Sequence, residues 1–184
     1  MKNVVMLISF LALAYPFSAF GQVKVFNSYL DYSNGVFDAY HKTGEAGPNL
    51  ENYLIVKDDA NKRTRILMSS IWGYQNEKGD LYRVRGDVPM KVDYSNDRIA
   101  IYCITKDDTI ILGDMIIPDT KTILYFSLDL SAEIHEFSLD ALLSEISFSD
   151  QEKERIAELD KKGRLTKKNS ETKEYYLVEA LFDF

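Results

Sequence analysis

The chain has 184 residues, 29 acidic against 22 basic, for a net charge of −7. Nucleic-acid recognition needs a basic face, so this balance argues against that class of partner. Its single cysteine, Cys103, has no second thiol for an intramolecular disulfide, and a chain of this length buries enough surface to fold by packing alone.

The first residues read MKNVVMLISFLALAYPFSAFGQ. Lys2 supplies a positive start, Val4 to Ala14 an apolar run, and Pro16 a helix break. Small residues at Ala19 and Gly21 then predict a secretory signal peptide over 1–21, cleaved before Gln22. The apolar run is shorter than the roughly 20 residues of a bilayer span, so no transmembrane segment is expected after cleavage. Loss of Lys2 takes the net charge from −7 to −8. The expected setting is therefore periplasm, outer surface or secreted.

Residues 22–184 are expected to form one α+β domain, with a turn-rich segment over 22–51, an antiparallel sheet over 52–130 and a helical tail over 137–184. In the first part, VFNSYLDY predicts one or two helical turns with Phe26, Tyr29 and Leu30 facing inward. Asp38 and His41 stand three apart, a metal-ligand spacing only on a helix, and the glycines that follow oppose one.

From residue 52, short runs rich in Ile, Val, Tyr and Phe alternate with clusters of Asp, Asn, Gly and Lys. That is the pattern of antiparallel strands joined by hairpins, seven or so of them in a curved sheet or small sandwich. NEKG (76–79) predicts a type I turn with Gly79 at positive φ. KDD (106–108) and PDTK (118–121) read as further turns. IAIYCIT and TIILGDMII are apolar on both faces and predict central strands, with Ile101, Cys103, Ile111, Ile116, Leu124 and Phe126 in the core. Arg85-Gly86-Asp87 matches an adhesion tripeptide. Its neighbours instead predict a turn, because Tyr82 and Val84 alternate with Arg83 and Arg85 before the glycine, and Pro89 follows.

The segment SSIWGYQNEKGDLYRV (69–84), with the earlier Phe26-x-Ser28-Tyr29-x-Asp31-Tyr32, resembles small secreted proteins of unassigned function from Bacteroidota. The resemblance covers residues 1–105. It implies a cell-envelope or secreted setting in a Gram-negative bacterium and brings no active site with it.

In the tail, Ser138 caps a helix whose Leu139, Leu142, Leu143 and Ile146 fall on one stripe. Ser149 with Glu152 forms a capping box for a thinly apolar surface helix that ends at Gly163. KKGRLTKKN (161–169) reads as its solvated, dipole-matched end. The apolar density of KEYYLVEALFDF fits a helix or a buried strand, and the single face formed by Tyr176, Leu177, Ala180, Leu181 and Phe184 favours the helix.

No nucleophile elbow, phosphate loop or dinucleotide fingerprint occurs, so no cofactor is expected. His41 and His135 stand apart, and both read as surface residues. The possible partner contacts are Trp72, Tyr74, Tyr82, Arg83 and Arg85. Trp72 and Tyr74 are expected on one face of their hairpin with Tyr82 and Val84 opposite, meeting the core, and Arg83 and Arg85 on the other face in water. Gly73 leaves room there for a closely approaching backbone. The functional expectation is an exported, non-catalytic binding protein whose partner is a protein or a glycan. The alternatives are a hydrolase built on acids such as Asp38 or Glu133, and an accessory subunit of an envelope complex.

Overall fold

The computed structural model describes residues 21–44, 52–112 and 115–182, with side chains described outside 106–112 and 115–120; the signal segment, Ile111, Ile116 and Phe184 lie outside that description. The fold is α+β. Among the described residues eleven strands precede or flank four helices: β1 Val23–Phe26, α1 Tyr29–Asn34, β2 Asp38–Tyr40, β3 Lys42–Thr43, β4 Tyr53–Lys57, β5 Arg63–Leu67, β6 Gly73–Gln75, β7 Leu81–Arg85, β8 Val88–Ser95, β9 Ala100–Leu112, β10 Met115–Ser127, β11 His135–Glu136, α2 Leu139–Glu145, α3 Asp150–Lys161 and α4 Tyr176–Phe182.

One antiparallel sheet takes eight strands in the order β11-β10-β9-β8-β7-β6-β1-β2, and β3-β4-β5 form a second. Both outer regions of the first sheet's inner face are covered. At the β1 end, Val23, Val25 and Tyr74 pack against Leu54 and Val56 of the small sheet and against Met68 and Ile71. At the β10 end, Ile99, Ile101 and Phe126 pack under Leu142, Ile156, Leu177 and Val178 of the helices. On the outer face Met90, Ala100, Tyr102 and Ile134 make a third cluster.

Local chemistry explains the joints. Gly79 N–H donates to Asn76 O across NEKG with φ 87° at the glycine, and Asn76 Oδ1 accepts from Lys78 and Asp80. Glu77 on that turn accepts from the Thr43 amide at 2.6 Å and its hydroxyl at 2.8 Å, so the hairpin tip also joins the two sheets. Arg85 pairs with Val88 around Gly86-Asp87, with φ 66° at Gly86 alone, the pattern of a type II′ hairpin turn. Ser138, and Ser149 with Glu152, cap α2 and α3 as the spacing predicts.

Several expectations are corrected. Residues 23–26 form a strand, because Val23 and Val25 alternate with Lys24 and Phe26 and β6 offers a free edge beside them. Leu30 is 65% exposed and Tyr29 38%, so α1 buries neither. KDD and PDTK lie inside β9 and β10, whose 13 register pairs run unbroken to Leu112↔Met115; the backbone ladder of a long hairpin outweighs the turn preference of a few local residues. Leu143 is 37% exposed, and α4 buries Leu177, Val178 and Leu181 while Tyr176 and Ala180 are only half-buried, so its inward stripe is shifted from the expected one. Cys103 and Leu124 are only partly buried, although Ile101 and Phe126 on the same face are sealed by the helices.

Gly73 pairs with Arg83, and a Cβ at position 73 would lie 2.3 Å from the Tyr82 carbonyl oxygen, which is backbone and has no freedom to move. Gly73→Ala is therefore expected to cost about 1–3 kcal/mol, read as a lowered urea midpoint at unchanged slope. Gly35→Ala, with open space around its Cβ, should lose only the left-handed helix cap.

Candidate functional site

The sequence places Trp72 beside Tyr74, but the chain bends at Trp72 just before β6 begins. The Trp72 amide donates to Phe26 O at 2.9 Å, and its carbonyl accepts from Val84 at 2.9 Å. Its cross-strand pairing with Val84 thus stands, while its ring joins Phe26 on the outer face of the sheet. Tyr74 and Tyr82 stack at 4.8 Å on the inner face, in register as predicted. Of the five residues singled out from the sequence, Trp72, Arg83 and Arg85 lie together on the outer side and the two tyrosines lie behind them. The period-2 argument fails because Trp72 stands outside the strand whose alternation it assumes.

Around Trp72 four rings gather. Tyr32 of α1 stacks on the indole at 4.9 Å and 30°, Tyr29 tilts against it at 5.7 Å, and Phe26 meets it edge-on at 6.4 Å. Phe37 then packs edge-on to Phe26 at 6.2 Å. Ser28 caps α1 with Asp31 in a full capping box, and Gly35 ends it at φ 68°, so the helix that carries Tyr29 and Tyr32 is fixed at both ends. The outer members are open: Leu30 at 65%, Val36 at 59% and Phe37 at 39% exposed. The sequence signal for this platform was four aromatic residues within twelve, Phe26, Tyr29, Tyr32 and Phe37. Read as a helix, that segment hid its strand and hence the face on which Phe26 stands.

Arg83 was expected in water, and it is buried, at 9% exposure. Its guanidinium lies 5.9 Å from the Trp72 ring and 5.8 Å from the Tyr102 ring, and Nη1 donates to Tyr102 Oη at 3.0 Å. Tyr102 Oη in turn lies 2.7 Å from Ser127 Oγ, which donates to the Asp129 carbonyl, so a polar chain crosses β7, β9 and the end of β10. Neither Arg83 Nε nor Trp72 Nε1 meets an acceptor among the described residues. Gly73 stands directly across from Arg83 in the ladder. Arg85 is exposed as expected, with its guanidinium 5.8 Å from the Tyr125 ring.

On the inner face, between the two covered ends, is a cleft of about 500 Å³ beside β10. Across it Lys168 pairs with Asp93 at 2.7 Å, and Tyr175 Oη donates to the same carboxylate at 2.6 Å. Lys91 pairs with Asp80 at 2.8 Å close by. Burial alone would raise the Asp93 pKa, but the bonds from Lys168 and Tyr175 outweigh it and hold the carboxyl below its usual range. Hydrogen bonds from Lys91 and Asn76 likewise lower Asp80. Burial raises the thiol of Cys103, which lines the cleft. Both acids are thus clamped as anions, whereas a general acid needs a carboxyl that keeps its proton at neutral pH. Asp38 lies on β2 and Glu133 just before β11, at opposite edges of the eight-stranded sheet.

His41 lies 3.8 Å from the exposed Asp59, on a bend and not a helix, and His135 3.8 Å from Glu145. Among the described residues no three His, Cys, Asp or Glu side chains gather as a metal site would require. The same residues contain no helix long and apolar enough to cross a membrane. No family model, no curated protein and no solved structure matches this chain.

Two outcomes follow from this geometry. Arg83→Met keeps the apolar stem and removes a buried charge without a carboxylate in contact, so it should be neutral or stabilising, while Arg83→Ala should lose about 1–3 kcal/mol to the space it leaves; chemical denaturation of both variants separates the packing role from the charge. Asp93 has a folded-state pKa below its unfolded one, so its contribution is present above the unfolded value near 4 and is lost as pH falls through the lower, folded value. Acid unfolding followed by circular dichroism should show that loss, and Asp93→Asn should flatten the slope below about pH 4.

Proposed function

We propose that this chain is an exported, non-catalytic binding protein of a bacterial cell envelope, and that it engages a partner protein through the aromatic platform around Trp72. The observation that carries this reading is the contiguous, solvent-open set Tyr29, Leu30, Val36 and Phe37, backed by the half-buried Tyr32 and Trp72. An apolar surface of this kind beside polar residues is what a protein interface uses, and Trp, Tyr and Arg are the residues that dominate interface energies. Two features favour a protein over a glycan. Open aliphatic side chains have no use in stacking a sugar ring, and the indole is already engaged by Tyr32 and Arg83.

The test is site-specific photocross-linking in the native host, with the photoreactive residue at Leu30 or, as a control, at Glu154 on the far helix. Discrete adducts to an envelope protein are expected from position 30 and not from 154, and Phe37→Ser should lower the yield about tenfold, as an interface anchor worth more than 1 kcal/mol would. Equal adducts from both positions, or a fluorescence shift of Trp72 on adding oligosaccharides, would refute the protein-binding reading. N-terminal sequencing of the exported product is expected to begin at Gln22.

A further inference from the structure

The cleft on the inner face extends to the edge of the sheet at β10. Lys121, Thr122, Ile123 and Leu124 all line it, and four consecutive residues of one strand include both faces. The cavity therefore wraps the edge of β10. β11 covers that edge only at Tyr125 and Phe126, and one further bond, from the Phe137 amide to Leu124 O, closes the pairing before the chain turns into α2. Among the described residues no other strand of the sheet flanks β10.

That last bond fixes the direction of every backbone group along the edge. Leu124 O points away from β9, and the register with β9 is unbroken, so Thr122, Thr120 and Pro118 also point their backbone groups outward. Thr122 and Thr120 offer a donor and an acceptor each. Pro118 has no N–H to offer, and because it faces outward its presence removes no bond to β9. The open window lies between Pro118 and Leu124 and takes about five residues of extended chain, roughly 17 Å.

We propose that this window is a strand-addition site for a short extended peptide of a partner protein. Main-chain bonds to Thr120 and Thr122 hold the peptide, and alternate side chains turn onto the inner face, into the cleft. Leu124 and Phe137 give that pocket an apolar wall, and the Lys168–Asp93 pair and Thr166 form its far rim. The chemistry selects a peptide with a β-branched or other apolar residue at the inward position and no strong charge preference, because the rim carries both signs. A second copy's β10 does not fit. It is a 13-residue strand, and laid on this window it runs on into the place β11 already holds.

The experiment pans a displayed library of random linear heptapeptides against the mature chain and measures the best synthetic binder by fluorescence anisotropy and amide exchange. Protection of the Thr122 amide and at least tenfold weaker binding to Thr122→Pro are expected, since proline there removes an outward donor as Pro118 already does. Thr166→Arg, which fills the far rim and leaves the edge untouched, should weaken binding similarly, and it serves if the proline variant does not fold. Undiminished binding to the folded variants, or no selected peptide at all, overturns the proposal. Concentration-dependent self-association that Thr122→Pro abolishes also overturns it, by assigning the edge to a second copy.

Discussion

The four residues of β1 bind the molecule together. Val23 and Val25, almost without exposure, close the inner core against the small sheet, while Phe26 on the alternate face seats the aromatic platform. Its backbone pairs with β6 on one side and β2 on the other, and Phe26 O receives the amide at which the chain bends before β6. Without that strand the small sheet loses Val23 and Val25 from its floor, Trp72 loses its edge-on contact with Phe26, and β6 becomes an edge. The contact is also non-local, joining residues 23–26 to 73–75, so the entropy of closing the intervening loop must be met before any of it forms. Folding of the platform is thereby tied to folding of the whole β1 end.

The two faces of the large sheet are specialised in different ways. The inner face is sealed at both ends by separate covers and left open between them, which is why Cys103 and Leu124 stand half-exposed within a run of otherwise core-like residues. The outer face is bound by polar contacts. Arg83, Tyr102 and Ser127 form a donor chain through the sheet, and Trp72 and Tyr102 supply ring faces to the guanidinium. Chains of this kind hold one arrangement because each member left alone would be an unsatisfied buried group. The positive charge of Arg83 also helps hold Asp129 ionised at the far end, after the hydrogen bonds from Ser131. Platform and polar chain thus share one residue.

The binding reading and the edge of β10 rest on different parts of the molecule, one at each end of the sheet order. An aromatic surface offers contact area that packs against side chains, whereas a free strand edge offers main-chain bonds that are indifferent to sequence apart from the pocket beside it. A long edge is also a hazard for a folded protein, and this one is managed. β11 blunts one end and Pro118 removes a donor further along.

Wherever a few neighbouring residues decide the geometry, the sequence alone determined it. Asn76 to Gly79 close their turn through the Asn76 side chain, Gly86 supplies the positive φ of its hairpin, and Ser138, Ser149 and Glu152 start their helices by bonding amides three residues away. The antiparallel hairpins and the helical tail follow from such joints, and so does the space that Gly73 leaves for a neighbouring strand. Tertiary structure decided which face each residue serves. Trp72 changed sides because a bend fixed by Phe26, 46 positions earlier in the chain, precedes its strand. Arg83 was buried because Trp72 and Tyr102 flank its guanidinium and the Tyr102 hydroxyl accepts a bond from it. Asp93 found Lys168 and Tyr175 across a separation of 75 residues or more, where no local pattern reaches. Alternation along a strand tells two faces apart, but only packing says which of them meets water.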